Sequence, residues 1–326
     1  MGDKRGELHL FEKANTKTED AHPTGQSFLD GTINGETTTR PSPIFSLDVA
    51  PDNTLVFSGA GNRYVSVWEK DKDDGKHWSC LEKLGPHTGW VRSVLYKEYT
   101  GRLHSIGCNC IESWCQMTDS GKWEHWKKST IESSPSDGAT LSSDLLCLCP
   151  MDDDTPYFVA GGVDGRLHVW NSHTMDAPLF STAAVHDGRV NAMNYSKKSG
   201  LLFTAGNDGT IRCWNCRVQE QCMEMVGEFN VGQDSRVTCI WVDDFGGSQD
   251  HIFCGTNAGE VLLSSLRNKS VPWKLATTFQ LAGRPIVNSL CIQKDAQGKP
   301  NLWIGHSKGL SIFALDNFAS LKSLSA

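Results

Sequence analysis

The sequence predicts an all-β fold built as a propeller of four-stranded blades. Three observations predict it. A strand–turn–strand unit closing on Trp recurs along the chain. The composition favours short strands and tight turns, with 31 Gly and 11 Trp in 326 residues. The Trp residues at 68, 114, 170 and 214 lie 46, 56 and 44 residues apart. That spacing is long for an ankyrin or leucine-rich repeat and suits a blade of about 40–45 residues with loop insertions.

The clearest unit runs from Leu201 to Trp214. An apolar strand ends in a small residue, an Asn207-Asp208-Gly209 turn follows, and a second strand closes on Trp214. The stretches from Phe158 to Trp170 and from Val56 to Trp68 match it without a gap, and Leu103 to Trp114 matches with one residue deleted. Weaker copies run from Ile252 to Leu263 and from Leu302 to Phe313. Each unit has an alternating strand upstream, such as Val91 to Tyr96 or Val190 to Tyr195, and a more polar strand downstream, such as Trp123 to Lys128. A single blade cannot bury both faces, so neighbours must pack against them.

Over residues 44–316 these units resemble WD40 repeats. The family's structural tetrad of His, Ser or Thr, Asp and Trp maps completely only onto His186, Thr204, Asp208 and Trp214. The resemblance implies a scaffold role for them. Elsewhere the set is partial. The unit ending at Trp114 has His87 and Ser105, with Asn109 in the Asp position. The unit ending at Trp68 has Ser58 and Asn62 without a His, and the unit ending at Trp170 has Asp164 but Ala160 for the hydroxyl. After Val237 the positions hold Cys254, Ala258 and Ser264.

The N-terminus repeats the second half of a unit, with Phe11 in the Trp position. The expected organisation is a partial blade at 1–12, a polar loop at 13–41 with a strand near Ser27-Phe28-Leu29, and blades over 42–326. The expectation is thus a seven-bladed plan whose first blade is incomplete. Of a defective seam and a shortened product of a longer propeller, the second is preferred, because natural β-proteins avoid open edges.

The net charge of −7 argues against a general nucleic-acid coat and leaves room for a local basic patch. No apolar run approaches the ~18 residues of a membrane span, and Met1 to Glu7 has no secretory signal character. The 12 cysteines sit mostly in apolar runs, pointing to buried free thiols in the cytoplasm or nucleus.

Catalytic motifs are absent from the sequence, and no cofactor is expected. Cys213 and Cys216 have opposite strand parity, and Cys147 and Cys149 read as core, so neither pair is expected to bind metal. Asp152-Asp153-Asp154 reads as a solvated turn rather than a Ca²⁺ site. Binding is better supported. The residue before each inner strand should lie on the top rim of the central channel. Trp90, Asp144, Arg189 and Arg236 occupy such positions, and Arg92 and Asn191 should point nearby. An exposed Trp beside several Arg has the composition of a binding hot spot and suits an acidic or phosphorylated peptide of a protein partner. The stretch from Leu202 to Arg217 also resembles the box of WD40 substrate receptors in cullin-4 ubiquitin ligases. That resemblance implies an adaptor contact at Arg217, although Asn215 stands where Asp is usual. The expected function is a non-catalytic interaction scaffold. Alternatives are a ligase receptor and, from another class, a propeller enzyme.

Overall fold

A computed structural model describes residues 7–11, 23–29, 32–33, 36–37, 42–71, 78–131, 144–232, 235–245, 249–266, 274–295 and 297–315. The chain divides into two compact units, centred on residues 22–163 and 182–326. Near the N-terminus β1 (Glu7–Phe11) pairs with β2 (Pro23–Leu29), and β3 (Thr32–Ile33) pairs with β4 (Glu36–Thr37).

Three blades follow in the first unit. Blade A comprises β5 (Ile44–Val49), β6 (Leu55–Ala60), β7 (Val65–Lys70) and β8 (Trp78–Leu84). Blade B comprises β9 (Val91–Lys97), β10 (Arg102–Gly107), β11 (Cys110–Gln116) and β12 (Trp123–Thr130). Blade C comprises β13 (Leu145–Pro150), β14 (Tyr157–Gly162), β15 (Leu167–Asn171) and β16 (Phe180–Ser181).

The second unit has three more. Blade D comprises β17 (Val190–Ser196), β18 (Leu201–Gly206), β19 (Thr210–Arg217) and β20 (Cys222–Asn230). Blade E comprises β21 (Val237–Asp243), β22 (Asp250–Thr256), β23 (Glu260–Leu266) and β24 (Lys274–Gln280). Blade F comprises β25 (Val287–Lys294), β26 (Pro300–His306) and β27 (Gly309–Ala314).

The propeller expectation holds, with a correction to the blade count. The described residues form six blades, not seven with an incomplete first. The physical reason is local: β1 finds its partner in β2, and the two make a sheet of their own instead of the outer half of a blade.

Each blade is a meander of antiparallel strands, and blade E shows why it needs neighbours. Ile252, Cys254 and Leu262 pack into one apolar cluster with Phe203 and Ile211 of blade D. Phe253, Val261 and Leu263 pack into another with Leu290 and Leu302 of blade F. Successive strand residues point to opposite faces, and here both faces are apolar, so the sheet must be sandwiched. Close approach is built in by Gly255, where a Cβ would stand 2.3 Å from the Val287 side chain.

One irregularity recurs in all six blades. Between the first and third residues of every inner strand the register slips by one, leaving an extra residue on that strand. These bulged residues are Phe45, Arg92, Leu146, Asn191, Thr238 and Asn288. A bulge breaks the ladder and re-aims a side chain. In the second unit the re-aimed groups tie blades together. The Asn191 amide donates to the Val237 carbonyl at 2.7 Å, and the Thr238 hydroxyl donates to the Val287 carbonyl.

In the first unit the blades are joined by polar side chains further along the inner strands. Ser46 Oγ accepts from the Val94 amide (3.2 Å), Asp48 Oδ2 from the Tyr96 amide (2.6 Å) and Ser93 Oγ from the Leu148 amide (3.2 Å). At the far end of β9, the buried Lys97 ammonium donates to the Asp152 carbonyl. Three residues of blade B also converge on Ser172 of blade C. His104 Nε2 lies 2.6 Å from Ser172 Oγ, Thr100 Oγ1 lies 2.7 Å from the same oxygen, and Arg102 donates to the Ser172 carbonyl. His104 is fully buried, with Nδ1 2.8 Å from Ser113 Oγ.

Burial pushes His104 down to about 3, helped by the positive charges of Arg102 and Lys97. Burial also lowers His87 and His186. The unfolded chain therefore takes up protons that these folded imidazoles refuse as pH falls through about 6.5. Their contribution is complete above that value and lost below it. Asp48 acts in the opposite sense. Burial, outweighing the amide hydrogen bonds, lifts it to about 6, so its contribution is gained as pH falls from about 6 toward 3.8 and lost as pH rises through 6. The three imidazoles outweigh the one carboxyl. The melting temperature should fall between pH 7 and pH 5, with His104 alone accounting for about 2 kcal/mol of that loss. The slope should flatten in a His104→Asn variant. A melting temperature that rises from pH 7 to pH 5 would contradict the assignment.

Candidate functional site

In blade D the four residues His186, Thr204, Asp208 and Trp214 lie within hydrogen-bonding distance in succession. The Trp214 indole N–H donates to Thr204 Oγ1 at 3.0 Å, and that oxygen lies 2.8 Å from His186 Nε2. His186 Nδ1 lies 3.0 Å from Asp208 Oδ1. With the imidazole proton on Nδ1, His186 donates to Asp208 and the Thr204 hydroxyl donates to Nε2, so every polar group is satisfied. Burial alone would raise the Asp208 carboxyl, but hydrogen bonds from Arg212, Thr210 and His186 hold it far below the usual carboxylate range. Arg212 is a further member that the pattern did not single out. Its guanidinium reaches Asp208 Oδ2 at 2.9 Å and the Glu228 carboxylate at 3.4 Å.

The other blades replace missing members with different atoms. In blade B the Trp114 indole donates to Ser105 Oγ (2.9 Å), which lies 2.7 Å from His87 Nε2. Asn109 turns instead to the Ile131 carbonyl, and His87 Nδ1 meets the Arg63 carbonyl of blade A at 3.2 Å. Trp68 uses Ser58 Oγ (2.9 Å) without a His. In the blade of Trp170 the hydroxyl position holds Ala160, and the indole donates instead to Ser129 Oγ of blade B (3.3 Å). All of this lies inside the sheets and serves packing.

The positions at the starts of the inner strands differ. In the first unit Trp90 is 53% exposed and Phe45 is 37% exposed. Their rings stack, with centroids 5.6 Å apart and planes inclined by 22°. The Arg92 guanidinium carbon lies 4.8 Å from the Trp90 centroid and 4.6 Å from that of Phe45. Phe45 and Arg92 are the bulged residues of adjacent inner strands, and Trp90 precedes the second strand, so this cluster is built at the start of blades A and B. Asp144, at the corresponding place in blade C, is half-buried and its carbonyl accepts from the Val163 amide.

In the second unit Arg189 and Arg236 are exposed, and their carbonyls accept from the Asn207 and Asn257 amides. The Asn191 amide is committed to Asn207 and Val237. Ile286 holds the position before β25 and is 45% exposed. Sequence reasoning brought forward Trp90 and Arg92 but missed Phe45 and Ile286. Aligning every inner strand, rather than only those with a charged or Trp start, would have brought both forward.

Arg217 is about half exposed at the end of β19 and paired with Glu220 (3.2 Å) and Glu224 (2.8 Å). Cys213 is buried, and burial pushes Cys147 and Cys216 up to about 12, which keeps both as thiols. Among the described residues no group of three or more His, Cys, Asp or Glu is placed to hold a metal ion, and no helix is long and apolar enough to cross a membrane.

Comparison with known proteins gives concordant matches. The family model for the WD domain, G-beta repeat, matches residues 30–69, 136–171 and 179–215. The chain is similar to protein hir1 of Aspergillus terreus, 21% identical over 62% of this chain and 20% of that protein. It is also similar to nuclear distribution protein PAC1 of Arthroderma benhamiae, 22% identical over 61% of this chain and 43% of that protein. Human dynein axonemal assembly factor 10 is 25% identical over 36% of this chain and 35% of that protein. The chain thus spans less than half the length of these curated relatives. A chain in the crystal structure of a mitotic checkpoint complex shares the fold, with a TM-score of 0.65 and 17% identity over 85% of this chain and 76% of that one.

Trp214→Ala should cost about 3–5 kcal/mol, as truncation of a buried aromatic does. Trp90→Ala should cost less than about 1 kcal/mol, because its ring is half in solvent. Thermal melts of the two variants check this, and equal losses would contradict the division between scaffold and rim.

Proposed function

We propose, for a chain that belongs to the WD40-repeat family of β-propellers, that it is a non-catalytic protein-interaction scaffold whose top rim binds an extended segment of a partner. The observation that carries this reading is the Phe45–Trp90 stack beneath Arg92. Two large aromatic side chains are held partly in solvent, Phe45 at a bulge and Trp90 just before β9. Their partial exposure loses burial energy in the free chain, and a partner that covers them recovers it. Trp and Arg are the residue types that dominate binding energetics at protein interfaces. The relatives carry names that speak of nuclear distribution and of dynein assembly rather than of a reaction, which agrees with a scaffold.

Arg189 and Arg236 give the second unit its own cationic rim positions, suited to acidic or phosphorylated segments. The ligase-receptor alternative rests on the stretch ending at Arg217. There an adaptor would have to displace Glu220 and Glu224 from the guanidinium, so the rim reading is favoured.

Affinity capture with the full chain, followed by identification of bound proteins, tests the proposal. A Phe45→Ala, Trp90→Ala double variant should lose the partners that the unaltered chain captures while melting within a few degrees of it. Charge reversal at Arg189 and Arg236 examines the second unit's rim separately. Retention of the same partners by both variants would place recognition elsewhere.

A further inference from the structure

We infer that the second unit binds a phosphorylated side chain of a partner protein at the end where β17, β21 and β25 begin. The inference rests on the scaffold reading above and deepens it for the second unit, but it does not depend on the Phe45–Trp90 stack. Arg189, Arg236 and Arg284 are all exposed at that end. Among the described residues no carboxylate pairs with any of the three guanidiniums. Asp187, two residues from Arg189, turns its amide to Asp208 and forms no ion pair with Arg189.

The backbone brings these residues together. The Asn191 amide donates to the Val237 carbonyl at 2.7 Å, which ties the residue two beyond Arg189 to the residue after Arg236. Gly209 lets the connection leading to Arg236 lie on the turn that holds Asn207, since an added Cβ would stand 2.6 Å from the Ser235 carbonyl oxygen. Gly259 does the same one blade on, where an added Cβ would stand 2.8 Å from Arg284 Cα. Asn207 thus sits between the Arg189 and Arg236 segments, and Asn257 between those of Arg236 and Arg284.

The two side-chain amides add donors, and backbone groups fix which way they face. The Arg236 N–H donates to Asn257 at 2.7 Å, so the atom it meets is Oδ1. The Val237 carbonyl fixes the Asn191 NH2, which also donates to Asn207 at 2.8 Å, so the atom met there is Oδ1 as well. The NH2 groups of Asn207 and Asn257 are left without an acceptor among the described residues.

Guanidiniums and NH2 groups without acceptors suit an anion with several oxygens. A phosphomonoester offers three oxygens and close to two negative charges at neutral pH, and clusters of Arg are what bind it. A carboxylate, with a single charge, would leave neighbouring guanidiniums repelling one another. Ile286, 45% exposed just before β25, suits an apolar side chain next to the phosphorylated one, which selects a protein segment over free phosphate. Single-stranded nucleic acid would need exposed rings on which to stack its bases. Among the described residues the exposed large hydrophobics of the second unit are Met225 and Ile286.

The experiment probes arrays of heptapeptides with the full chain. The central residue is phosphoserine, glutamate or serine, and the flanking positions are random. Parallel arrays use an Arg189→Gln, Arg236→Gln double variant, an Asn207→Asp, Asn257→Asp double variant and the Phe45→Ala, Trp90→Ala double variant. Phosphoserine peptides with a neighbouring Leu, Ile or Val should be selected, and each should bind at least about tenfold more tightly than its glutamate counterpart. Binding should weaken by about tenfold or more in both the Arg and the Asn double variants. The Asn→Asp changes keep the oxygens that accept within the protein and replace each NH2 with a charged oxygen. The comparison of phosphoserine with glutamate needs no protein variant, so it decides the matter even if a variant folds poorly. Phosphopeptides retained by the Arg or the Asn double variant would overturn the inference. Loss with the Phe45→Ala, Trp90→Ala variant alone would move the site to the first unit, overturning the inference and leaving the scaffold reading. Glutamate or serine peptides bound as tightly as phosphoserine would leave the second unit a binding surface and overturn the dianion. Capture of phosphatidylcholine vesicles containing a phosphoinositide, with no peptide selected, would replace the partner protein with a membrane. Binding to none of these would overturn both the inference and the reading of the second unit on which it rests.

Discussion

The extra residue at the second position of each inner strand is the constraint on which the rest of this structure turns. A strand that paired in register to its end would alternate its side chains between the two blade faces. The slip interrupts that alternation in all six blades and leaves one residue of each inner strand without a partner in the ladder. What the fold does with that side chain depends on its chemistry. Asn191 and Thr238 are short and polar, and each finds a carbonyl of the next blade. Phe45 and Arg92 are larger, and they assemble with Trp90 into a partly exposed cluster. One backbone device thus yields both cohesion and a candidate binding surface.

Cohesion between blades combines apolar burial with a small number of polar ties. The apolar clusters between successive blades are non-directional, and on their own they would tolerate sliding. Hydrogen bonds from amides of the next inner strand to Ser46, Asp48 and Ser93 set the register between blades. The convergence of Thr100, Arg102 and His104 on Ser172 does the same at the opposite end of blades B and C. The Trp residues that close the third strands of blades A to D keep a constant requirement through this variation, because a buried indole N–H is costly to leave without an acceptor. Thr204, Ser105 and Ser58 supply it from within the blade, and Ser129 supplies it to Trp170 from the neighbouring one.

Much of this architecture was legible in the sequence because repeated units leave repeated letters. The strand–turn–strand units, the Trp spacing and the full tetrad of His186, Thr204, Asp208 and Trp214 all follow from local patterning. Substitutions across blades were not legible. Nothing near Ala160 in the sequence points to Ser129, and nothing near His87 points to the Arg63 carbonyl. Phe45 reads as an ordinary apolar strand residue, since period-two alternation predicts a face for it and only the bulge takes it off that face. The blade count was misread for a related reason. Leu8, Leu10 and Phe11 carry the letters of a third strand, but the partner of that strand is set by pairing with 23–29, which no repeat pattern encodes.

The central claim is that the bulged residues divide into those that hold blades together and those that face a partner. Thermal melting of four single variants, Phe45→Ala, Arg92→Ala, Asn191→Ala and Thr238→Ala, tests it most directly. The Asn191 and Thr238 variants should each lose about 1–2 kcal/mol, because each leaves a carbonyl between blades without its donor. The Phe45 and Arg92 variants should stay within about 1 kcal/mol of the unaltered chain. Losses of the same size in all four would mean that the rim cluster is part of the scaffold and would contradict the account.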